Sequence, residues 1–148
     1  MRARYLDDWE RRRREPAFNS AILKRFRKIG ETARAGKRCL LAADLEKFGA
    51  LMNENHTLID AIMHDCGFPD GAGEANNQLI NVAREAGALG AKLSGAGGGG
   101  SVLVLPPPGR ARRIVAALQT EAKRRGMGRA KFFTVRIVRH GPRVEIED

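Results

Sequence analysis

Apolar side chains recur along the first half of the chain at the spacing of a helix. Ile22, Phe26, Ile29 and Ala33 fall at i, i+4, i+7 and i+11, which predicts a helix over about 17–35 with this stripe inward and Gly36 as its stop. Asp44 is a natural cap for a second helix, with Leu45, Phe48, Met52, Ile59 and Ile62 on its apolar side, ending before Gly67, Phe68 and Pro69. After the loop "PDGAG" at 69–73, a third helix from about Glu74 turns Ala75, Leu79, Val82, Ala83 and Ala86 inward and meets Gly87 as its C-terminal signal.

The period then changes. "ALGAKLS" (88–94) and "SVLVL" (101–105) are short runs, the second rich in β-formers and ended by three prolines at 106–108. A basic amphipathic helix over about 110–125 presents Ala111, Ile114, Leu118 and Ala122 to the interior and stops at Gly126. "KFFTVRIV" (131–138) and "RVEI" (143–146), separated by "RHGP", read as a terminal hairpin. Helices followed by β–β–α–β–β imply an α+β domain with a small, mainly antiparallel sheet and a packed helix over 17–148, with 1–16 as a basic N-terminal arm or helix.

Composition sets the outer limits. At 148 residues, 43% hydrophobic and 30% charged, the chain fits one globular domain. No apolar run approaches the ~18 residues of a membrane span, and the charged N-terminus lacks the apolar stretch of a secretory signal, so the expectation is a cytoplasmic protein. Cys39 and Cys66 are too few for a disulfide framework and read as reduced thiols.

The net charge of +10 is uneven. Residues 1–40 hold 13 basic and 5 acidic side chains, residues 41–100 hold 3 and 8, and residues 101–148 hold 11 and 4. Basic ends with a pI near 10.6 raise the question of a polyanionic partner. Aromatic residues make up only 5% of the chain and do not interleave with the arginine runs, so platforms for base stacking are scarce. Solvated helix faces account for the arginines more simply than a nucleic-acid surface does.

Between the two short apolar runs stands "GAKLSGAGGGGS" (90–101). Glycine in the interior of an element costs roughly 0.5–1 kcal/mol against alanine, so such a concentration needs a reason. It is not a P-loop: Gly95 and Gly100 have the spacing, but Ser101 stands where the lysine belongs. Nor is it a dinucleotide loop: Gly95, Gly97 and Gly100 match GxGxxG, but a strand-like run follows instead of a helix. What remains is a glycine-rich connection between two strands, with Lys92 before it and the hydroxyls of Ser94 and Ser101 at its ends. Such a loop either aims backbone N–H groups at an anion or allows close backbone packing.

This segment resembles the third conserved motif of the GHMP kinases, the family of galactokinase, homoserine kinase, mevalonate kinase and phosphomevalonate kinase. "AADLEKFGALMNENHTLI" (42–59) and "LINVAREAGALGAKLSGAGGGG" (79–100) are similar to the helices around that motif in mevalonate kinase-like and sugar or uronate kinase members. The likeness covers about 17–138, the extent of the family's C-terminal, ferredoxin-like domain. It implies an ATP- and Mg2+-dependent phosphoryl transfer to a small sugar, uronate or mevalonate-like substrate. By motif position the nucleotide- or substrate-binding loop is Lys92, Ser94, Gly95, Ala96, Gly97, Gly98, Gly99, Gly100 and Ser101.

The family's N-terminal nucleotide loop and its acidic base or magnesium ligand have no counterpart in this sequence. The resemblance therefore implies no catalytic residue here, no Mg2+ ligand, and a need for an N-terminal kinase half or a homo-oligomeric partner. Asn53, Asn55 and His56 interrupt an apolar helix and are candidates for a substrate pocket; a hydrogen-bonded polar layer under the sheet explains them equally well. His56, Asp60 and His64 share a helix face at i, i+4 and i+8 with Cys66 close by, but the spacing lacks an HExxH pattern and a fourth ligand. A non-catalytic basic module for nucleic acid or an acidic protein is the alternative function.

Overall fold

The computed structural model describes residues 10–95, 97 and 100–135. Four helices and two strands follow in the order α1 (Pro16–Leu41), α2 (Leu45–Asp65), α3 (Glu74–Glu85), β1 (Gly90–Ser94), β2 (Ser101–Leu105) and α4 (Ala111–Arg124). The architecture is α+β, as the sequence pattern implies. Residues 131–135 are not strand, so the first part of the expected terminal hairpin is absent, and its remainder lies outside the described residues.

All four helices end in the same way. The residue after the C-cap takes a left-handed conformation, its N–H bonds to the carbonyl three residues back, and the next N–H to the carbonyl five residues back, the Schellman arrangement. Gly67, Gly87 and Gly126 occupy that position in α2, α3 and α4, with φ of 88°, 95° and 67°. The following amides of Phe68, Ala88 and Met127 bond to the carbonyls of Met63, Ala83 and Ala122 at 3.0, 3.0 and 2.8 Å. In α1 the position is held by Ala43 at φ 55°, with Asp44 N–H bonding to Cys39 C=O at 2.9 Å. Asp44 then accepts the Lys47 N–H at 2.9 Å and caps α2, as its place in the sequence suggests.

Gly36 does not stop α1. It lies buried inside the helix because α1 packs on α2 there: a Cβ at Gly36 would stand 3.2 Å from the Phe48 ring. The buried stripe of α1 is Ile22, Thr32, Gly36 and Cys39, with Ile29 half-buried, while Phe26 is 54% exposed and Ala33 is exposed. Small and hydroxylated residues complete the inner face, so the hydropathy stripe holds at Ile22 and Ile29 and fails at Phe26 and Ala33. The Thr32 hydroxyl accepts from Asn55 Nδ2 of α2 at 3.2 Å.

β1 and β2 pair antiparallel in the register Gly90↔Leu105, Lys92↔Leu103 and Ser94↔Ser101. One sheet face carries the core: Ile80 and Ala83 of α3, Ala91 of β1, and Ile114 and Leu118 of α4, with Val102, Val104 and Phe132 packed against them. Ile80 is fully buried, whereas Ala75, expected inward, is exposed. α2 approaches β1 at backbone contact, because Gly49 meets Gly90; Cβ atoms on either would overlap the other's neighbourhood. α1 therefore packs on α2, α2 meets β1, and α3 with α4 covers the core face of the sheet.

Candidate functional site

The glycine-rich connection leaves the end of β1 and returns to β2 across the Ser94↔Ser101 pair. Gly95, Gly97 and Gly100 have φ of 99°, 89° and 96°, the region closed to ordinary side chains. They differ in surroundings. Nothing lies within 4 Å of where a Cβ of Gly95 would stand, whereas at Gly97 that position is 3.1 Å from the Ala72 carbonyl oxygen. The loop thus rests one glycine on the backbone of the 69–73 loop and leaves another open to whatever approaches. Ala96, Gly98 and Gly99 lie outside the described residues.

Lys92 is half-buried on β1, on the sheet face away from the α3–α4 core, beside Leu103. Its Nζ donates to the Leu93 carbonyl at 2.6 Å, and burial holds its pKa below the usual lysine value. Ser94 is half-buried and Ser101 exposed. A cation and two hydroxyls therefore lie toward one end of the sheet, where the side-chain side of Gly95 is open.

The 69–73 loop under Gly97 is held from α2 and α3. Asp60 Oδ1 accepts the Ala72 N–H at 2.8 Å and Asn77 Nδ2 at 2.9 Å. Asn76 Nδ2 donates to the Ala72 carbonyl at 3.0 Å, so both polar groups of a fully buried alanine are satisfied by side chains. Gly71, at φ 55°, presses against Asp60 and His64 and leaves no room for a side chain. Burial raises the Asp60 pKa, but the bonds from Ala72 and Asn77, with the two nearby histidines, more than reverse it and leave it below the ordinary carboxylate value.

The remaining candidates are mostly engaged within the fold. Asn53 Oδ1 accepts the Ala91 N–H at 2.9 Å and its Nδ2 donates to the Leu89 carbonyl at 3.4 Å. Asn55 bonds to Thr32. His56 is 8% exposed and burial lowers its pKa, with Asp60 and Asn77 pulling it partly back. His64 Nε2 lies 3.5 Å from Asp60 Oδ2, and among the described residues no three His, Cys, Asp or Glu side chains are placed to share a metal. Asn76, Asn77 and the loop role of Asp60 carry no motif in the sequence. Their signal is only the proximity of "PDGAG" to an Asn pair in the first turn of a helix.

Residues 37–124 match the model of the GHMP kinase C-terminal domain. The chain belongs to that family. This GHMP kinase domain is 39% identical over 96 residues to a mevalonate kinase of Thermococcus gammatolerans, covering 60% of the chain and 25% of that relative. It is 40% identical over 101 residues to a mevalonate kinase of Pyrococcus horikoshii, covering 68% of the chain and 26% of that relative. The L. major mevalonate kinase, solved in complex with R-mevalonate, superposes with a TM-score of 0.61 at 27% identity, over 82% of this chain and 35% of that one. The chain thus spans about a quarter of the length of the curated relatives it matches. Within the GHMP kinase domain the matched segment takes in the end of α1, the 69–73 loop and the whole glycine connection, while most of α1 precedes it.

Proposed function

We propose that this chain serves as the C-terminal domain of an ATP-dependent small-molecule kinase acting on a mevalonate-like substrate, and that its glycine loop faces the reacting phosphates. The carrying observation is the loop itself: Gly95 open on its side-chain side, next to Lys92, Ser94 and Ser101, in a GHMP kinase domain. Phosphoryl transfer depends mainly on positioning and on donors aimed at oxygens that gain charge. Backbone N–H groups of the 94–101 loop, the two serine hydroxyls and the Lys92 ammonium are such donors. Release of Lys92 from the Leu93 carbonyl would turn its charge toward the loop.

ATP with Mg2+ supplies the transferable phosphoryl group in this reading. The loop suits phosphate oxygens, and the metal ligands and the base would come from an N-terminal kinase half. The test is reconstitution: the chain alone, an N-terminal half alone, and the two together, assayed for ATP-dependent phosphorylation of mevalonate, simple sugars and uronates. Activity only in the mixture, strongest with mevalonate, is expected. A folded mixture that transfers no phosphoryl group to any of them would overturn the proposal.

A second reading rests on α1. Arg27, Arg34 and Arg38 recur at i, i+7 and i+11 on its outer face, exposed and without a carboxylate partner among the described residues. If that face holds a polyanion, log K against log[salt] for duplex DNA falls with a slope of about −0.9 per phosphate contacted. A flat salt dependence dismisses it.

A further inference from the structure

We propose that Asp60 is a positioning residue for the glycine loop, acting through Ala72. The proposal rests on the kinase reading only for its catalytic consequence; the coupling itself stands on geometry. Asp60 sits on α2, far in sequence from the binding loop, and its hydrogen bonds go to Ala72 and Asn77, not to a described residue of that loop. Its carboxylate instead takes the N–H of Ala72, and the opposite face of that residue, its carbonyl oxygen and Cα, forms the floor on which Gly97 lies. A side chain at Gly97 would stand 3.1 Å from that oxygen and 3.4 Å from that Cα, so the two backbones are in direct contact.

The second side-chain support of Ala72 stands next to another partner of the same carboxylate. Asn77, which donates to Asp60 Oδ1, stands in the first turn of α3 beside Asn76, which holds the Ala72 carbonyl. Gly71 has no space for a side chain because Asp60 and His64 fill it, so the 69–73 loop is drawn down onto α2 at its centre. One acceptor oxygen of Asp60 thus organises two donors from separate elements, and loops without such anchors are the first parts of a fold to open. A carboxylate is suited to this, since hydrogen bonds to an ionised acceptor are the stronger kind.

The consequence is reciprocal. If Asp60 holds the floor that seats Gly97, loosening either one loosens the other. Loss of the Asp60 acceptor leaves the 94–101 loop less ordered, and a wedge at Gly97 lifts Ala72 from its carboxylate.

The test is backbone amide exchange, residue by residue, on the isotope-labelled full chain, for wild type, Asp60→Ala, Asp60→Asn and Gly97→Ala. Asp60→Ala is expected to speed exchange about tenfold at 70–73 and at 94–101, with the amides of α1 and α4 unchanged. Asp60→Asn keeps an acceptor oxygen and is expected to restore most of the protection. Gly97→Ala is expected to speed the Ala72 amide from the other side, and decides the matter if Asp60→Ala does not fold. Acceleration at 70–73 with no change at 94–101, equal acceleration throughout the chain, or an unaltered Ala72 amide in Gly97→Ala would each overturn the coupling.

In the reconstituted kinase, Asp60→Ala should raise KM for ATP several-fold and Asp60→Asn should return it. Absence of activity in the wild-type mixture counts against the kinase reading and leaves the exchange result to judge Asp60 by itself.

Discussion

Asn53 of α2 takes the N–H of Ala91 in β1 at 2.9 Å, a bond that in a wider sheet a neighbouring strand would make. The same amide group reaches the Leu89 carbonyl with its Nδ2 at 3.4 Å. A helix side chain thus substitutes for backbone at the edge of β1 away from β2. It lies only four residues beyond Gly49, where α2 and β1 make backbone contact. Replacing Asn53 by Ala strands the Ala91 N–H in a place that is closed to water on the helix side. Such a loss costs about 1–3 kcal/mol, and Asn53→Asp, which retains the acceptor, is expected to cost less. The urea midpoint of each variant checks it, and equal stability of all three chains would show that the bond is dispensable.

The Gly49–Gly90 contact carries its own prediction. A Cβ at Gly49 would lie 2.8 Å from the Leu89 Cβ and closer still to its backbone, and one at Gly90 would lie 2.6 Å from the Gly49 Cα. Neither obstacle is the end of a flexible side chain, so helix and strand must separate. Overpacking of this kind costs roughly 1–3 kcal/mol, even though alanine is intrinsically the better helix residue at Gly49. Gly49→Ala is therefore expected to lower the melting temperature, whereas Gly87→Asn, at an exposed C-terminal turn with nothing within 4 Å, should change it little.

Ala43 offers the opposite sign. It holds the left-handed position that glycine fills in the other three helices, and an L-residue there costs about 1–2 kcal/mol. Glycine removes that strain but loses more entropy on folding, so Ala43→Gly is expected to gain roughly 0.5–1 kcal/mol net. Chemical denaturation checks this directly; a loss of stability would mean that Ala43 makes contacts that outweigh its backbone strain.

The same position explains where the sequence misleads. Helix ends marked by Gly67, Gly87 and Gly126, the Asp44 cap and the β-formers before Pro106 are signals carried by single residues, and each stands where the structure puts it. The end of α1 has no such signal, because an alanine turns the chain, and the nearest glycine, Gly36, serves a helix contact instead. Phe26 and Ala33 look inward by hydropathy, yet α1 meets α2 through Thr32 and Gly36. The glycine loop is legible as an element because its composition is extreme. Its seat on Ala72 is not, since a contact between two backbones leaves no trace in side-chain pattern beyond the glycines themselves. Asn53 and Asn55 read as polar interruptions and Asp60 as part of a His–Asp–His helix face, and in the fold each holds backbone or side-chain groups across elements.

Glu121 and His56 set the pH dependence. Hydrogen bonds from Arg124 and then Arg125, at 2.6–2.7 Å, hold the Glu121 pKa down to about 2 from 4.5. A depressed carboxylate stabilises the fold fully above its unfolded pKa, and that contribution is lost as pH falls from about 4.5 toward 2. Asp60, also depressed from 3.8, loses its contribution in the lower part of the same window. His56 acts at higher pH: burial lowers its pKa from 6.5, so the folded state binds its proton less readily than the unfolded chain. Its contribution is complete above 6.5 and begins to fall below it. Two separate declines in unfolding free energy are therefore expected on acidification, one starting near pH 6.5 and one below pH 4.5. Glu121→Gln should flatten the lower decline and leave the upper one in place, and His56→Gln should do the reverse. Urea titrations at pH 7.5, 5.5 and 3 on the three chains separate the two, and a single decline unaffected by Glu121→Gln would show that the arginine pair contributes nothing to the fold.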